Sequence, residues 1–143
     1  MTVADTIEEQ NKETIRTYHH RLWGSGDKSA IDEYWSPDAE VHMTDFDGTA
    51  VDVVREDVDR YFAAFEGQTT TIHQLIAEGD RVALHWSTTG RHVAPYGEVP
   101  ATNKEITMAG IDLLRLKDGK IVECWSMWDG LSVFDQMGVL QIG

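Results

Sequence analysis

The chain has 143 residues and a formal net charge of −13, with 25 acidic against 12 basic side chains. Its length suits one domain with a substantial core, and its hydrophobic content of 41% argues against an intrinsically disordered protein. The negative charge argues against nucleic acids and anionic membranes as partners, because no basic face is available to neutralise phosphates.

Helical periodicity dominates the first half of the chain and alternation dominates the second. The expected helices are residues 4–23, a short one from Asp27 or Ser29 to Trp35, and residues 53–65 with Gly67 ending the third. The expected strands and turns are a turn at 36–38, a short strand at 39–44, a hairpin over 69–93, a second hairpin over 98–128, and a closing helical turn at 129–138.

This order predicts the fold class. Three helices followed by four long antiparallel strands, with one early short strand, are typical of an α+β domain. We expect a single domain over residues 1–143, in which a cone-shaped curved antiparallel sheet packs against three N-terminal helices and encloses a pocket. A small ligand would bind in that pocket.

Composition also indicates compartment and habitat. The acidic residues are dispersed and lysines are few, which suits either a high-salt cytoplasm or ordinary acidic solubility. The apolar runs are too short to span a bilayer, and the start MTVADTIEEQ has no signal-peptide pattern, so a cytoplasmic protein is expected. The single cysteine, Cys124, excludes an internal disulfide and is expected to be a small core residue.

The stretch ECWSMWDG, residues 123–130, contains the first candidate catalytic residue. Trp125, Met127 and Asp129 alternate, so an extended chain points all three to the same side. If Asp129 lies among these apolar groups, desolvation raises its pKa and makes it a usable general acid or base. The alternative is that Asp129 is the N-cap of the final helix, and the two roles are compatible.

Asp112 is the second candidate, because aspartate is disfavoured within an apolar strand such as AGIDLLRL. The alternative for Asp112 is an outward position or a salt bridge to Arg91 or Arg115. The two hairpin strands pair around the turn at Asp118, so Asp112 and Asp129 can approach the same end of the sheet.

Histidines and aromatic residues supply candidate pocket groups. His42 and His85 alternate with strand residues, and His92 follows a hairpin arm, so each faces either the pocket or the exterior. Trp23 and Trp86 belong either to the core or to the pocket lining. No HExxH pattern or Cys/His cluster with metal spacing is present, and no nucleotide-binding glycine motif, so neither a metal nor an organic cofactor is expected.

Residues 90–138 resemble the SnoaL-like polyketide cyclases, a family within the nuclear-transport-factor-like superfamily of cone-shaped α+β domains. The segments that carry the resemblance are Gly90-Arg91-His92, Pro100-Ala101-Thr102, Asp118-Gly119-Lys120-Ile121, Trp125 to Asp129, Gln136 to Gly138, and the earlier GSGDKSAIDEYWSPDAEVH. The resemblance implies a small-molecule enzyme of the lyase or isomerase type, active without a cofactor, such as one that closes a polyketide-like substrate by intramolecular aldol addition.

The same resemblance implies residue roles. Asp129 matches the general acid/base of the family, and Asp112 stands where its histidine partner is expected, which makes a carboxylate pair. Trp23 corresponds to a smaller pocket aromatic. Together with the residues that the strand pattern offers, it completes the expected substrate-binding set of Trp23, His42, Trp86, His92, Trp125 and Met127. A homodimer or homotetramer is also implied, together with a hydrophobic small-molecule ligand.

Two alternatives remain open. The first is an epoxide hydrolase or isomerase on the same fold, in which Asp112 and Asp129 with Arg91 would imitate an Asp-Arg-Asp arrangement. The second is a non-catalytic protein that binds an apolar small molecule. The deciding observation is whether Asp129 faces an enclosed cavity with a polar partner or only caps the last helix on the surface.

Overall fold

The computed structural model describes residues 6–46 and 48–140. The helices are α1 (Ile7–His19), α2 (Ser29–Tyr34), α3 (Asp52–Ala64) and α4 (Gly130–Gln136), with a π-helical turn (His20–Gly24) directly after α1. The strands are β1 (Trp35–Met43), β2 (Phe65–Glu78), β3 (Arg81–His92), β4 (Glu105–Lys117) and β5 (Lys120–Trp128). Among these residues, no helix is long and apolar enough to cross a membrane.

The five strands form one curved, unclosed sheet in the order β1-β5-β4-β3-β2. Strand β1 runs parallel to β5, and the other neighbours pair antiparallel. The predicted α+β class and the curved sheet against N-terminal helices are therefore confirmed. Because the sheet stays open, its inner face needs the helices as a cover.

The helices cover the inner face through fully buried apolar side chains. Ile15 and Leu22 from the first helical region meet Ile31, Val41 and Leu114 in one core cluster. Helix α1 begins where Thr6 accepts a hydrogen bond from the Glu9 backbone N–H at 3.1 Å. A second cluster lies at the other end of the sheet, around Tyr61, Phe65 and Ile106.

Several predicted boundaries differ from the structure, and three of them concern turns and helix ends. The α-helical part of the first helix ends at His19 and continues as a π-helical turn, and its predicted start at residue 4 lies outside the described residues. The predicted turn at 36–38 belongs to β1, which is an edge strand and tolerates Pro37 through an irregular register. Gly67 lies within β2, at a bulge with φ of 61°.

Both predicted hairpin turns are present. Gly79 has φ of 59° between β2 and β3, and Asp118 and Gly119 have φ of 51° and 77° between β4 and β5. Two consecutive residues with positive φ match the right-handed twist of the paired strands. The turn pairs Lys117 with Lys120, and a register shift between Arg115 and Leu116 then places Asp112 opposite Ser126.

Candidate active site

A cavity lies between the inner face of the sheet and the helices. The cavity has a volume of about 80 Å³, counted as the space that the centre of a water molecule can occupy. This is several times the volume that one water needs. Its walls are mostly apolar, and the polar groups among them are Tyr18, His19, Asp45, Asp57, Arg60, Tyr61, Thr88, Tyr96, Asp112 and Ser126. A concave apolar site with a few convergent polar groups is the usual form of a small-molecule site.

Asp112 is a half-buried carboxyl group in the sheet wall. Its Oδ1 accepts hydrogen bonds from Ser126 Oγ at 2.7 Å and from Trp86 Nε1 at 3.2 Å. Burial raises the pKa of Asp112 to about 6, while these two hydrogen bonds act in the opposite direction. The carboxyl is therefore mostly ionised at neutral pH but more basic than an exposed aspartate.

Local packing explains how Trp86 reaches Asp112. Gly110 lies opposite Trp86 on the neighbouring strand, and a Cβ there would come within 2.6 Å of the indole ring. The same Cβ would come within 2.5 Å of the Met127 carbonyl oxygen. Glycine is thus the residue that lets the indole lie flat enough for its N–H to meet the carboxylate.

A second half-buried carboxyl group lies on α3, where the Asp57 side chain is 17% exposed. Asp57 Oδ1 is 3.3 Å from Arg60 Nη2, and the same nitrogen makes a shorter contact with Asp45. Burial raises the pKa of Asp57 to about 7; Arg60 lowers it, and the Asp45 and Asp112 carboxylates raise it. Arg60 therefore compensates Asp45 more fully than it compensates Asp57.

Arg60 is fixed by aromatic rings on both sides. Its guanidinium carbon lies 4.8 Å from the Phe46 ring centre and 4.7 Å from that of Tyr96. Its Nε is buried and has no hydrogen-bond partner among residues 6–46 and 48–140. The position of Arg60, and with it that of the Asp57 carboxyl, is thus set by packing.

The helix α1 wall contributes a neutral histidine. His19 is 2% exposed, and its Nε2 lies 2.8 Å from Thr70 Oγ1, which is 3.0 Å from Thr88 Oγ1. Burial, with a smaller effect of His20, lowers the pKa of His19 to about 4. At neutral pH this side chain is therefore an uncharged hydrogen-bonding group of the wall.

Tyr61 adds an unsatisfied hydroxyl group. The side chain is 3% exposed, lines the cavity, and its hydroxyl is buried without a hydrogen-bond partner in the described part of the chain. A Cβ at position 90 would lie 2.9 Å from this hydroxyl, so Gly90 makes room for it. Burial raises the pKa of Tyr61 above its ordinary value. The phenol therefore stays protonated and can donate a hydrogen bond.

Comparison with known families gives one decisive match. The model of the SnoaL-like polyketide cyclase family matches residues 13–137, which is most of the chain. The chain belongs to this family. A comparison with curated proteins gave no significant match.

Solved structures of SnoaL-like proteins share the fold. AclR, a candidate hydroxylase from Streptomyces galilaeus, is 26% identical with a TM-score of 0.84, over 94% of this chain and 99% of that chain. IdmH, a candidate polyketide cyclase from Streptomyces antibioticus, is 27% identical with a TM-score of 0.78, over 91% and 99%. A SnoaL-like protein from Jannaschia sp. CCS1, at 21% identity and a TM-score of 0.83 over 99% and 100%, supports the fold alone.

The predicted site residues divide between the two faces of the sheet. Trp23, Trp86 and Asp112 line the cavity. Trp125 and Met127 do not, which corrects the prediction that they form its wall, because Cys124, Ser126 and Trp128 point inward from β5. Met127 is 65% exposed on the outer face.

His42 and His92 are also absent from the cavity lining. His42 lies on the outer face, where it stacks on Trp125 and its Nε2 lies 3.0 Å from Glu123 Oε2. His92 is fully buried, stacks on Phe65 and accepts a hydrogen bond at Nδ1 from the Thr102 backbone N–H at 3.3 Å. These contacts make both histidines parts of the scaffold.

Asp129 lies at the surface as the N-cap of α4. Its Oδ1 accepts a hydrogen bond from the Ser132 backbone N–H at 3.0 Å, and the residue does not line the cavity. The capping interpretation thus matches the geometry, and Asp112 is the candidate acid that faces the cavity with polar partners. The catalytic role that the resemblance implies for Asp129 stays a prediction.

Other family motifs also connect elements of the scaffold. Arg91 Nη1 donates to the Asn103 carbonyl at 2.8 Å, so Arg91 does not join the two acids as the epoxide hypothesis required. Gln136 pairs its side-chain amide with both backbone groups of Thr107, at 2.8 Å each, and so fixes α4 to β4. These contacts explain the spacing of the motifs without chemistry.

Sequence reasoning did not single out Asp57, Arg60, Asp45, Tyr61 or His19. Charged side chains on a helix normally face solvent, and residue type alone does not distinguish Asp57 from the exposed Asp59 two residues later. The one usable signal was the i, i+4 relationship of Asp57 and Tyr61 within an otherwise apolar stripe.

One group on the outer face has the geometry of a metal site. Glu40, His42 and Glu123 place ligand atoms within 4.8 Å of one another. Glu123 already accepts from His42 and from Arg115 at 3.2 Å, and these contacts lower its pKa. A cation would have to displace both, so these residues are better described as an ion-pair network.

Proposed function

We propose that the protein is a cofactor-independent acid/base enzyme that acts on a small carbonyl compound, with Asp112 as its base. The reaction proposed is intramolecular aldol closure of a polyketide-like substrate. The observation that carries this proposal is the Asp112 carboxyl, which lines a mostly apolar cavity and is oriented by Ser126 and Trp86. Membership of the SnoaL-like family supports the same reaction class.

The Asp112 carboxyl has one oxygen for orientation and one for chemistry. Both hydrogen bonds end on Oδ1, and Oδ2 has no hydrogen-bond partner among residues 6–46 and 48–140. Oδ2 can therefore take a proton from the carbon next to a carbonyl group, and the resulting enolate attacks a second carbonyl of the same molecule. A positioned base contributes about 10²- to 10⁴-fold, and folding the substrate into an attack-ready conformer contributes more.

The proposal moves the base from Asp129 to Asp112. Asp129 is exposed, while the half-buried Asp112 has a raised pKa and faces the cavity. A base with a pKa near neutrality combines a high ionised fraction with a useful driving force for proton transfer. Asp129 is assigned only the cap of α4.

The test is deuterium incorporation into heptane-2,6-dione in deuterium oxide, followed by NMR, with this compound called the diketone probe below. Wild type should exchange the protons next to the carbonyl groups faster than buffer, and Asp112→Asn should lose the enzymatic rate. Asp118→Asn is the matched control, since it lies on the same hairpin but in the exposed turn. Equal exchange by wild type and Asp112→Asn would contradict the proposal.

Epoxide opening is a second candidate because of the Asp45–Arg60–Asp57 ion group at the cavity. This group is a carboxylate–guanidinium–carboxylate arrangement, although Arg91 is not part of it. A protonated Asp57 would donate to the epoxide oxygen while a carboxylate activates water. Hydrolysis of styrene oxide that depends on Asp57 and Arg60 but not on Asp112 would favour this candidate.

Binding without turnover is the third possibility, supported by the apolar cavity walls. Trp23, Trp35, Trp86 and Trp128 line the cavity, so tryptophan fluorescence reports its occupation. Saturable quenching by a ligand, without exchange or turnover by wild type, would favour a binding protein.

We also propose that the protein forms homodimers through the outer face of the sheet, as the resemblance implies. Ile111 and Met127 lie opposite each other on β4 and β5 and are 56% and 65% exposed. Ile76, on β2, is 60% exposed on the same face. An exposed apolar patch on an acidic protein is typical of an interaction site.

A further inference from the structure

The cavity has a second half-buried acid, Asp57, that the proposed function does not use. Asp57 lies on α3 and Asp112 on β4, and both line the cavity. Burial is the main cause of the raised Asp57 pKa, and the charges of Asp45 and Asp112 add smaller contributions in the same direction. Two carboxyl groups that interact across one cavity titrate as a pair, so one tends to keep its proton when the other is ionised.

The wall that carries Asp57 also presents an unoccupied hydrogen-bond donor. Tyr61 lies one helical turn after Asp57, on the same face of α3. Tyr61 as a whole is 3% exposed, and its hydroxyl has no hydrogen-bond partner in the described chain. A buried hydroxyl without a partner is costly, and this one lies against Gly90 of β3 at the edge of the cavity lining.

We propose that Asp57 is the proton donor of the cavity, so that the substrate is a dicarbonyl compound bound between α3 and β4. This inference rests on the proposed function. Asp112 takes the proton beside one carbonyl, and the C–H electron pair forms the enolate. The enolate carbon bonds to the second carbonyl carbon, and Asp57 gives its proton to that carbonyl oxygen as it becomes a hydroxyl. Solvent then returns a proton to Asp57 and accepts one from Asp112.

Arg60 is the positioning residue of this arrangement. It contacts both Asp45 and Asp57, and the rings of Phe46 and Tyr96 fix its plane. Because the closer contact is with Asp45, Asp57 remains only partly compensated and can hold a proton near neutral pH.

The expected pH profile follows from the groups that face Asp57. These are Arg60 on α3, Asp45 after β1, Asp112 on β4, and Tyr96 in the loop after β3. Ring closure needs Asp112 ionised and Asp57 protonated. Its rate should therefore rise as pH passes the Asp112 pKa of about 6 and fall as pH passes the Asp57 pKa of about 7. Deuterium exchange needs only the first condition.

The test uses the diketone probe with wild type, Asp57→Asn and the matched control Asp59→Asn. Asp59 lies on the same helix but is exposed and paired with Lys28 at 2.8 Å. Asp57→Asn should lose ring closure by on the order of 10²-fold, retain exchange within about twofold, and lose the alkaline limb of the closure profile. Asp59→Asn should match wild type in all three.

Each contrary outcome has a separate meaning. If Asp57→Asn closed the ring at the wild-type rate with an unchanged alkaline limb, the inference would be overturned. It would also be overturned if the folded variant lost exchange and closure together. A wild type that exchanges but never closes the ring would also overturn it. Failure of the proposed function itself would give a different result, because Asp112→Asn would then exchange deuterium as fast as wild type.

Two further measurements keep the test independent of folding defects. Circular dichroism should show the same fold for Asp57→Asn and wild type. Carbon-13 NMR of the Asp57 carboxyl should show a lower pKa in Asp112→Asn, because that variant removes a charge that raises it. An unchanged Asp57 titration in Asp112→Asn would overturn the coupling on which the inference depends.

Discussion

The indole of Trp86 donates a hydrogen bond to Asp112 Oδ1 at 3.2 Å, from the strand next to the one that carries the carboxyl. Ser126 donates to the same oxygen from the strand on the other side. Asp112 is therefore oriented by both neighbours of β4, and this leaves Oδ2 as the oxygen without a protein partner in the described chain. The orientation of the base is a property of the sheet register.

Trp86→Phe should raise the pKa of Asp112 further, because it removes a hydrogen bond that favours the charged carboxylate. We expect the acid limb of diketone exchange to move up by about one pH unit, since hydrogen bonds to charged groups are worth about 1.5–3 kcal/mol. Trp125→Phe, on the outer face, is the control. A limb at the same pH in Trp86→Phe and wild type would contradict the orienting role.

The free energy of unfolding should also depend on pH through two cavity residues, Asp112 and His19, which act in opposite directions. The Asp112 pKa is raised from 3.8 to about 6, so the folded state binds more protons there and stability falls as pH rises between those values. The His19 pKa is lowered from 6.5 to about 4, so stability rises with pH over that range. Each effect is on the order of 3 kcal/mol.

Two variants separate these contributions, measured as unfolding free energy by urea titration at pH values from 4 to 7. The pKa of Asp57 is raised from 3.8 to about 7. Asp57 therefore also makes the unfolding free energy fall as pH rises, in wild type and in both variants. His19→Gln should show the steepest loss of stability as pH rises, wild type an intermediate loss, and Asp112→Asn the smallest. Any other order would mean that these groups do not titrate as their burial requires.

The sequence predicted the fold more completely than the site. Periodicity located the helices and hairpins because each element buries one face, and the Asp112 anomaly in an apolar strand was visible without coordinates. Alternation showed that Trp125 and Met127 share a face. It could not tell which face points inward, because both faces of β5 carry apolar side chains.

The polar cavity residues depend on tertiary geometry. Asp57 and Arg60 look like ordinary surface charges of a helix, and only the packing of Arg60 between Phe46 and Tyr96 makes them part of the cavity. The sequence of Asp129 fits both a cap and a catalytic acid, since the same residue begins α4 and ends the family motif. The cap is observed, and the catalytic role of Asp129 stays a prediction.

Asp129 provides a direct contrast between the two assignments. Asp129→Asn keeps a good N-cap, so stability and diketone exchange should both match wild type. Asp129→Ala should lose about 1 kcal/mol of unfolding free energy, measured by urea titration, with exchange retained. Loss of exchange in Asp129→Asn at wild-type stability would return the catalytic role to Asp129.

The outer face should decide assembly independently of catalysis. Ile111→Lys places a charge at the centre of the patch that also contains Met127 and Ile76, and burying an unpaired ammonium group in an interface is costly. Light scattering after size-exclusion chromatography should show a dimer for wild type and a monomer for Ile111→Lys. Ile7→Lys is the control, since Ile7 is similarly exposed at 53% but lies on α1, and it should remain dimeric. The Ile111→Lys monomer should still exchange deuterium into the diketone probe, because the cavity lies on the opposite side of the sheet. A monomeric wild type, or a dimeric Ile111→Lys, would contradict assembly through this face.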